Sequence, residues 1–369
     1  STGCSNNAIG NSALSRNTTG CFNTAIGGGA LQQNTTAGCN TAIGCGALNV
    51  NTTGNNNTAI GYLSLVRNTE GSANTGIGQT ALCKNTRGNY NTAIGAYNMQ
   101  NNTDGDHNHS LGYFTLYANI SGCHNTGIGC GALRNNTDGC HNTALGQGAL
   151  YDSLSGDDNF AAGQCALYGN WGGCCNAAIG KNALRCNTTG GGNTAIGNAA
   201  LHGNTTGNNN FAAGGSALTS SLSGNNNVAI GSNALRLNWG GSDNFAVGYI
   251  SMWCNTTGRD NNAFGSYTMC GNTTGYQNNA IGKSALKNNT TGTDNQAIGA
   301  NALTGNTTGG SNQAIGYGAL ICNTTGHYNN AIGREALHSN TTGCHNTALG
   351  QNALRSSLSG DHNFAAGQC

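Results

Sequence analysis

Apolar and polar residues recur along this chain on a fixed period of 17, not on the 3.6 of a helix. Asn23-Thr24-Ala25-Ile26-Gly27 returns as Asn40 to Gly44, Asn57 to Gly61 and Asn74 to Gly78. It continues at that spacing, without insertion or deletion, to Asn363-Phe364-Ala365-Ala366-Gly367. In the unit so defined, position 1 is Asn, 2 Thr, 3 Ala, 4 Ile and 5 Gly. Positions 8 and 9 are Ala-Leu, and positions 12 to 15 are Asn-Thr-Thr-Gly. Position 1 falls at Asn6, Asn23, Asn40 and onward to Asn363, so residues 1–369 read as a single repeat array with no separate domain. A short period without drift is the signature of a solenoid, in which each coil touches only its neighbours. Two short strands per coil are predicted, at positions 1–4 and 12–14, with turns at the glycines of positions 5 and 15. Gly, Asn and Thr are poor helix formers. The expected fold is therefore all-β, a parallel β-solenoid or β-roll of about 22 coils. Stacked at strand spacing, these would make a rod on the order of 105 Å long.

Paired substitutions suggest which face is which. Where position 4 shrinks to alanine, position 2 grows to phenylalanine: Phe160 with Ala162, Phe211 with Ala213, Phe364 with Ala366. Volume exchanged between i and i+2 places positions 2 and 4 on one face of a strand, and close packing suggests that this face is the core. Position 3 is only Ala, Gly or Ser. On that reading it points outward and is kept small for the close approach of another surface. Position 13 accepts Ile120, Leu154, Trp171 and Trp239, which also reads as inward. Position 14 accepts Glu70, Arg87, Asp104 and Asp138, so it faces water.

Composition sharpens the picture. Only 7% of residues are charged, Gly numbers 62 and Pro is absent, against roughly 25% charge in an ordinary domain. Every Lys, Arg, Asp and Glu falls at positions 6, 7, 10, 11, 14, 16 or 17. The other ten columns exclude charge, as interior, turn or packed positions do. A net charge of +1 leaves no footprint for nucleic acid, and no apolar run is long enough for membrane insertion as a helix. Basic residues collect at positions 10–11 and acidic ones at 16–17, opposite edges that could guide side-by-side packing.

The Asn-Thr-Ala-Ile-Gly motif, with its downstream Ala-Leu and Asn-Thr-Thr-Gly, resembles repeats of phage and viral tail fibres and of large bacterial surface proteins. It is also similar, more loosely, to the head repeats of trimeric autotransporter adhesins. The resemblance covers the whole chain. It implies an extracellular or virion-surface stalk or adhesive fibre that self-associates, as a homotrimer or by lateral or end-to-end packing into filaments. A rival reading on the same fold is a binding module for carbohydrate, a cell surface or, less readily, ice. The exposed threonine file Thr257, Thr274, Thr291, Thr308, Thr325 and Thr342 is the candidate ice plane.

Chemistry-bearing residues are few and lie on the turns. The 17 cysteines point to an oxidising compartment. Cys4 with Cys21 and Cys123 with Cys140 would stack on successive coils and Cys254 lies near Cys270, giving three candidate disulfides. Asp106-His107, Cys123-His124 and Cys140-His141 occupy positions 16–17 of three consecutive coils, a donor set suited to zinc or copper. Asn17, Asn34, Asn51, Asn187, Asn204, Asn255, Asn272, Asn289, Asn306, Asn323 and Asn340 each open an Asn-Thr-Thr glycosylation sequon. The competing role for this column is a turn-forming, ladder-forming asparagine. No cofactor motif is present, and the unbroken repeat leaves no loop insertion from which to build a catalytic cleft, so an enzyme is not expected.

Overall fold

Each 17-residue period closes one coil, and each coil contributes one strand of three residues at positions 2 to 4. The structure, a computed structural model, describes residues 2–368, which form two compact units meeting at Thr189 and Gly190 in sequence. The first unit runs from β1 (Asn7–Ile9) to β11 (Ala177–Ile179) and the second from β12 (Thr194–Ile196) to β22 (Phe364–Ala366). Within each unit every strand pairs in parallel with the next, in strict register. Thr24, Ala25 and Ile26 face Thr41, Ala42 and Ile43, and Gln296, Ala297 and Ile298 face Gln313, Ala314 and Ile315. The described residues include no helix. This is a parallel β-solenoid.

The second predicted strand is a bend instead. At positions 12–15 one threonine carbonyl collects several donors from the neighbouring coil: Thr35 O accepts from the amides of Thr18 (2.9 Å), Thr19 (3.1 Å) and Gly20 (3.3 Å). The Thr18 hydroxyl adds a fourth bond at 2.8 Å. Donors converging on one carbonyl turn the chain tightly where an extended strand would spread them out.

The inside and outside of the strand are the reverse of the expectation. Position 3 is the interior residue: Ala25, Ala42 and their equivalents are wholly buried. Positions 2 and 4 point outward, and Ile26 remains 37% exposed. A coil this narrow has room inside the strand only for a methyl group, which is why position 3 never exceeds Ala or Ser. Where position 8 is larger than Ala, the next position 3 is sometimes cut to Gly. A Cβ on Gly76 would stand 2.7 Å from Ser64 Oγ, and one on Gly127 would stand 2.7 Å from Thr115 Cγ2. The leucines of position 9, such as Leu31 and Leu133, fill the remaining apolar core with the alanines of position 8. Position 13 is likewise outward. Trp171 and Trp239 are more than half exposed.

Two asparagine columns form the polar half of the interior. The position 1 side chain accepts the backbone N–H of the next position 1, as Asn23 Oδ1 does from Asn40 (3.0 Å). Asn40 Nδ2 then donates to Gly54 O at 3.0 Å. The position 12 side chain reaches the same carbonyl from the other side, Asn51 Nδ2 to Gly54 O at 2.9 Å, and donates to Asn34 Oδ1 at 3.1 Å. Both amides thus clasp the carbonyl of position 15 within one coil while ladders run between coils. Buried amides are costly unless paired, and here nearly all are.

The two glycine columns exist for different reasons. Position 5 adopts φ near +130°, as at Gly95 (φ +134), a region that only glycine occupies readily. Position 15 has no such φ, but a Cβ on Gly54 would lie 2.2 Å from Gly71 O, and Ala37 is the one non-glycine residue that the column accepts. The first is a conformational requirement and the second a matter of space. Left-handed backbone is not confined to glycine: positions 7, 9 and 17 carry it in coil after coil, including the buried Leu31 (φ 47) and Leu48 (φ 48).

Candidate functional site

The turn edge at positions 16–17 carries the densest chemistry. Position 17 is left-handed, which stacks its side chains in a file. The rings of Tyr90, His107, His124 and His141 lie face to face at centroid spacings of 4.8 to 4.9 Å. Tyr328, His345 and His362 repeat the arrangement. Position 16 side chains instead turn back onto the preceding coil. Cys140 Sγ accepts the amide of Cys123 (3.1 Å), Asp106 Oδ1 that of Asn89 (2.6 Å), and Asp157 Oδ1 that of Cys140 (2.7 Å). Imidazoles stacked by their faces and sulfurs turned to backbone amides do not converge. Among the described residues no three of His, Cys, Asp and Glu come together as a metal site. The proposed set of Asp106, His107, Cys123, His124, Cys140 and His141 is therefore a stacked edge in this geometry. Asp157 and Asp158 are separated in the same way, one bound to backbone and the other at left-handed φ.

All described cysteines carry free thiols. Cys4 and Cys21 come closest to a pair, with sulfurs 2.7 Å apart. The thiol of Cys4 donates to Cys21, which holds Cys21 below the usual thiol range and raises Cys4. Cys140, Cys254 and Cys270 are pushed up, chiefly by burial.

The sequon asparagines are closed to modification in the folded coil. Asn34, Asn51, Asn187, Asn204, Asn255, Asn272, Asn289, Asn306, Asn323 and Asn340 are fully buried, and Asn17 is half-buried with its Nδ2 bound to Gly20 O at 2.9 Å. A glycan would have to replace an Nδ2 proton that the ladder uses. The turn-and-ladder role explains this column, and the folded coil offers these asparagines no room for a glycan.

The position 12 ladder also shows where it breaks. Ser153 and Ser221 stand in the asparagine column, and their hydroxyls are buried without a partner. Asn136 Oδ1, one coil before Ser153, is left unpaired, and so is Asn340 Oδ1 before Ser357. Each Ser-Leu-Ser-Gly segment thus leaves the ladder short of a rung. The segments at Ser153 and Ser221 are each followed one coil later by an exposed tryptophan, Trp171 and Trp239.

The outer strand face carries threonine, asparagine or glutamine in most of column 2 and isoleucine in most of column 4. Columns 2 and 4 contain no Lys, Arg, Asp or Glu, yet Ile43, Ile94, Ile128, Ile196 and Ile281 are each more than a third exposed. The Phe–Ala exchanges lie here, on the outside. Phe245 at position 2 also packs against Phe264 at position 4 of the next coil, centroids 5.0 Å apart. Sequence reasoning found these columns but assigned them to the wrong side. Their freedom from charge signals packing against something, without saying what.

No family model matches the chain, and no curated protein matches it. The class of protein is defined by the fold, a parallel β-solenoid of 17-residue coils.

Proposed function

We propose that the protein is a structural one, the solenoid shaft of an extracellular or surface fibre, without catalytic activity, and that it self-associates through the outer face of positions 2 and 4. What carries the reading is that a charge-free, isoleucine-rich column runs along each unit half exposed to solvent. Isolated exposed leucines or isoleucines are ordinary, but contiguous apolar patches of several hundred Å² mark interfaces. Eleven strands at about 4.8 Å spacing and three residues wide give roughly 500 Å² of charge-free face per unit, the size of patch that marks an interaction surface. The Phe–Ala exchanges support the same reading, because constant volume per rung matters only if an outside surface is packed against it. With position 3 buried, the seam moves from that column to this one.

Sedimentation velocity on the full chain tests the reading, with Ile77→Lys and Ile281→Lys as the variants. Association that is lost in the variants, with circular dichroism unchanged, is the expected result. A wild-type chain that stays monomeric at high micromolar concentration would sink the fibre-shaft proposal. A binding role on the same scaffold is favoured by one local feature, an aromatic notch.

A further inference from the structure

One stretch of the turn surface in the first unit departs from the regular coil. At position 7, where most coils carry a side chain, two successive coils carry Gly131 and Gly148, with Phe114 before them and Cys165 after. Gly29 and Gly46 also stand at position 7 of successive coils, but there Asn49 Nδ2 bonds Gly29 O at 2.9 Å; here the two glycines and the aromatic residues beside them leave a cavity of about 400 Å³. One wall comes from the position 10 file, where Arg134, Tyr151 and Tyr168 of three consecutive coils line the cavity and Tyr117 and Arg185 stand one coil beyond on either side. Tyr151 and Tyr168 stack at 4.8 Å and 5°. Arg134 lies 5.0 Å from the Phe114 ring and 5.3 Å from Tyr151, and Arg185 covers Tyr168 at 5.5 Å. The opposite wall presents Gln147 and Gln164, exposed and one coil apart.

The arginines of this notch, Arg134 and Arg185, have no ion-pair partner among the described residues, and the nearby Asp152 charge is felt at Tyr168. Arg134 bonds the Tyr151 hydroxyl, and its Nε–H is buried without an acceptor. Asp152, the nearest acid along the file, lies outside the lining, with its carboxylate held by Asn135 Nδ2 at 2.6 Å. Burial pushes the Tyr168 phenol up, so the wall stays neutral where it is not cationic. Aromatic walls with a few placed polar groups, in a cavity of this size, are the usual make-up of a small-ligand site.

We propose that the notch binds an acidic sugar residue, a pyranose bearing a carboxylate. The guanidinium of Arg134 receives the carboxylate. The apolar face of the ring lies against Tyr151 and Tyr168, and the two glutamines, at about 4.8 Å pitch, take hydroxyls. An aromatic acid would use the first two features and leave the glutamines idle, which is why the sugar is preferred. The inference is independent of self-association, since the notch lies on the turn edge and not on the strand face.

The test is calorimetric titration of the full chain with trigalacturonic acid and, in parallel, with neutral maltotriose. Gly148→Asn fills the notch without disturbing the coil, because Asn182, Asn233 and Asn352 occupy position 7 at φ 58 to 59. A Cβ at Gly148 would sit 3.6 Å from Cys165 Sγ and from the Tyr168 ring, ordinary contact distance. Arg134→Gln removes the charge. Binding of trigalacturonic acid that weakens at least tenfold in each variant, and at least tenfold tighter than maltotriose, is the expected result. No heat from wild type at millimolar trigalacturonic acid overturns the proposal, as does undiminished binding in Gly148→Asn. Equal affinity for maltotriose overturns the acidic assignment.

Discussion

Restoring the broken asparagine rungs should stabilise the solenoid. In Ser153→Asn the new Nδ2 stands where Asn51 Nδ2 stands in its own coil, able to donate to Gly156 O and to the unpaired Asn136 Oδ1. Its Oδ1 offers an acceptor to Asn170 Nδ2, which now bonds only Gly173 O (2.7 Å). Space is available, since the coils on either side hold Asn136 and Asn170 at the same register. A net hydrogen bond contributes about 1 kcal/mol, and relief of a buried orphan acceptor adds about 1–3 kcal/mol. A gain of roughly 2–4 kcal/mol per rung follows. Repeat arrays do not unfold as one two-state unit, so the assay is amide hydrogen exchange, read at residues 136–176. The double variant Ser153→Asn/Ser221→Asn should slow exchange locally around each site and raise the urea midpoint. Asn51→Ser, the reverse change, should cost a similar amount in its own neighbourhood. If Ser153→Asn leaves exchange unchanged or faster, the account of the ladder as a stabilising element is wrong.

Gly95→Ala places a side chain at φ +134 with its Cβ 2.2 Å from Gly112 O, and should cost about 3 kcal/mol or more, seen as faster amide exchange in its own and the neighbouring coils. Leu133→Ala empties a fully buried core position and should cost about 2–5 kcal/mol, measured by the same local exchange, whereas Thr53→Ala on the exposed column should change it by less than about 0.5 kcal/mol. Because Cys21 is held below the usual thiol range and Cys83 is raised by burial, iodoacetamide at pH 8 should label Cys21 well ahead of Cys83. Mass spectrometry of a partly alkylated sample decides it. Expression in a host that glycosylates Asn-Thr-Thr should yield either unmodified folded chain or glycosylated chain without the solenoid's β signature, and folded protein fully glycosylated at Asn289 would contradict the buried ladder.

The period, the coil and the ladder role of asparagine could be read from residues alone because every coil repeats the same constraint. The sense of the strand could not. Alternation tells that Thr24 and Ile26 share a face and that Ala25 lies on the other, but not which face is the core. That larger side chains are the buried ones is a rule drawn from wide cores. Inside a 17-residue coil the rule inverts, since only a methyl fits behind the strand. A usable cue was present in Ser64 with Gly76 and Thr115 with Gly127, where a larger residue at position 8 coincides with a vanishing side chain at position 3. The aromatic notch was hidden for another reason: it depends on which turn residues stand one above another five coils deep, and on two absent side chains.

The leucines of position 9 carry a consequence for how such a chain is made. A leucine held at φ near 50° costs about 1–2 kcal/mol relative to its relaxed conformation, and most coils repeat that cost at positions 7 and 17, those with glycine there excepted. A nascent coil recovers it only when a finished neighbour supplies the amides and carbonyls that lock it, as Ala47 O does for Leu31 N at 3.0 Å. Synthesis and folding should therefore run like crystal growth, with a slow seed of a few coils and then rapid accretion at an existing face. A seeded chain would copy its own register seventeen residues at a time, and an error at one step would be carried forward by every coil laid down after it.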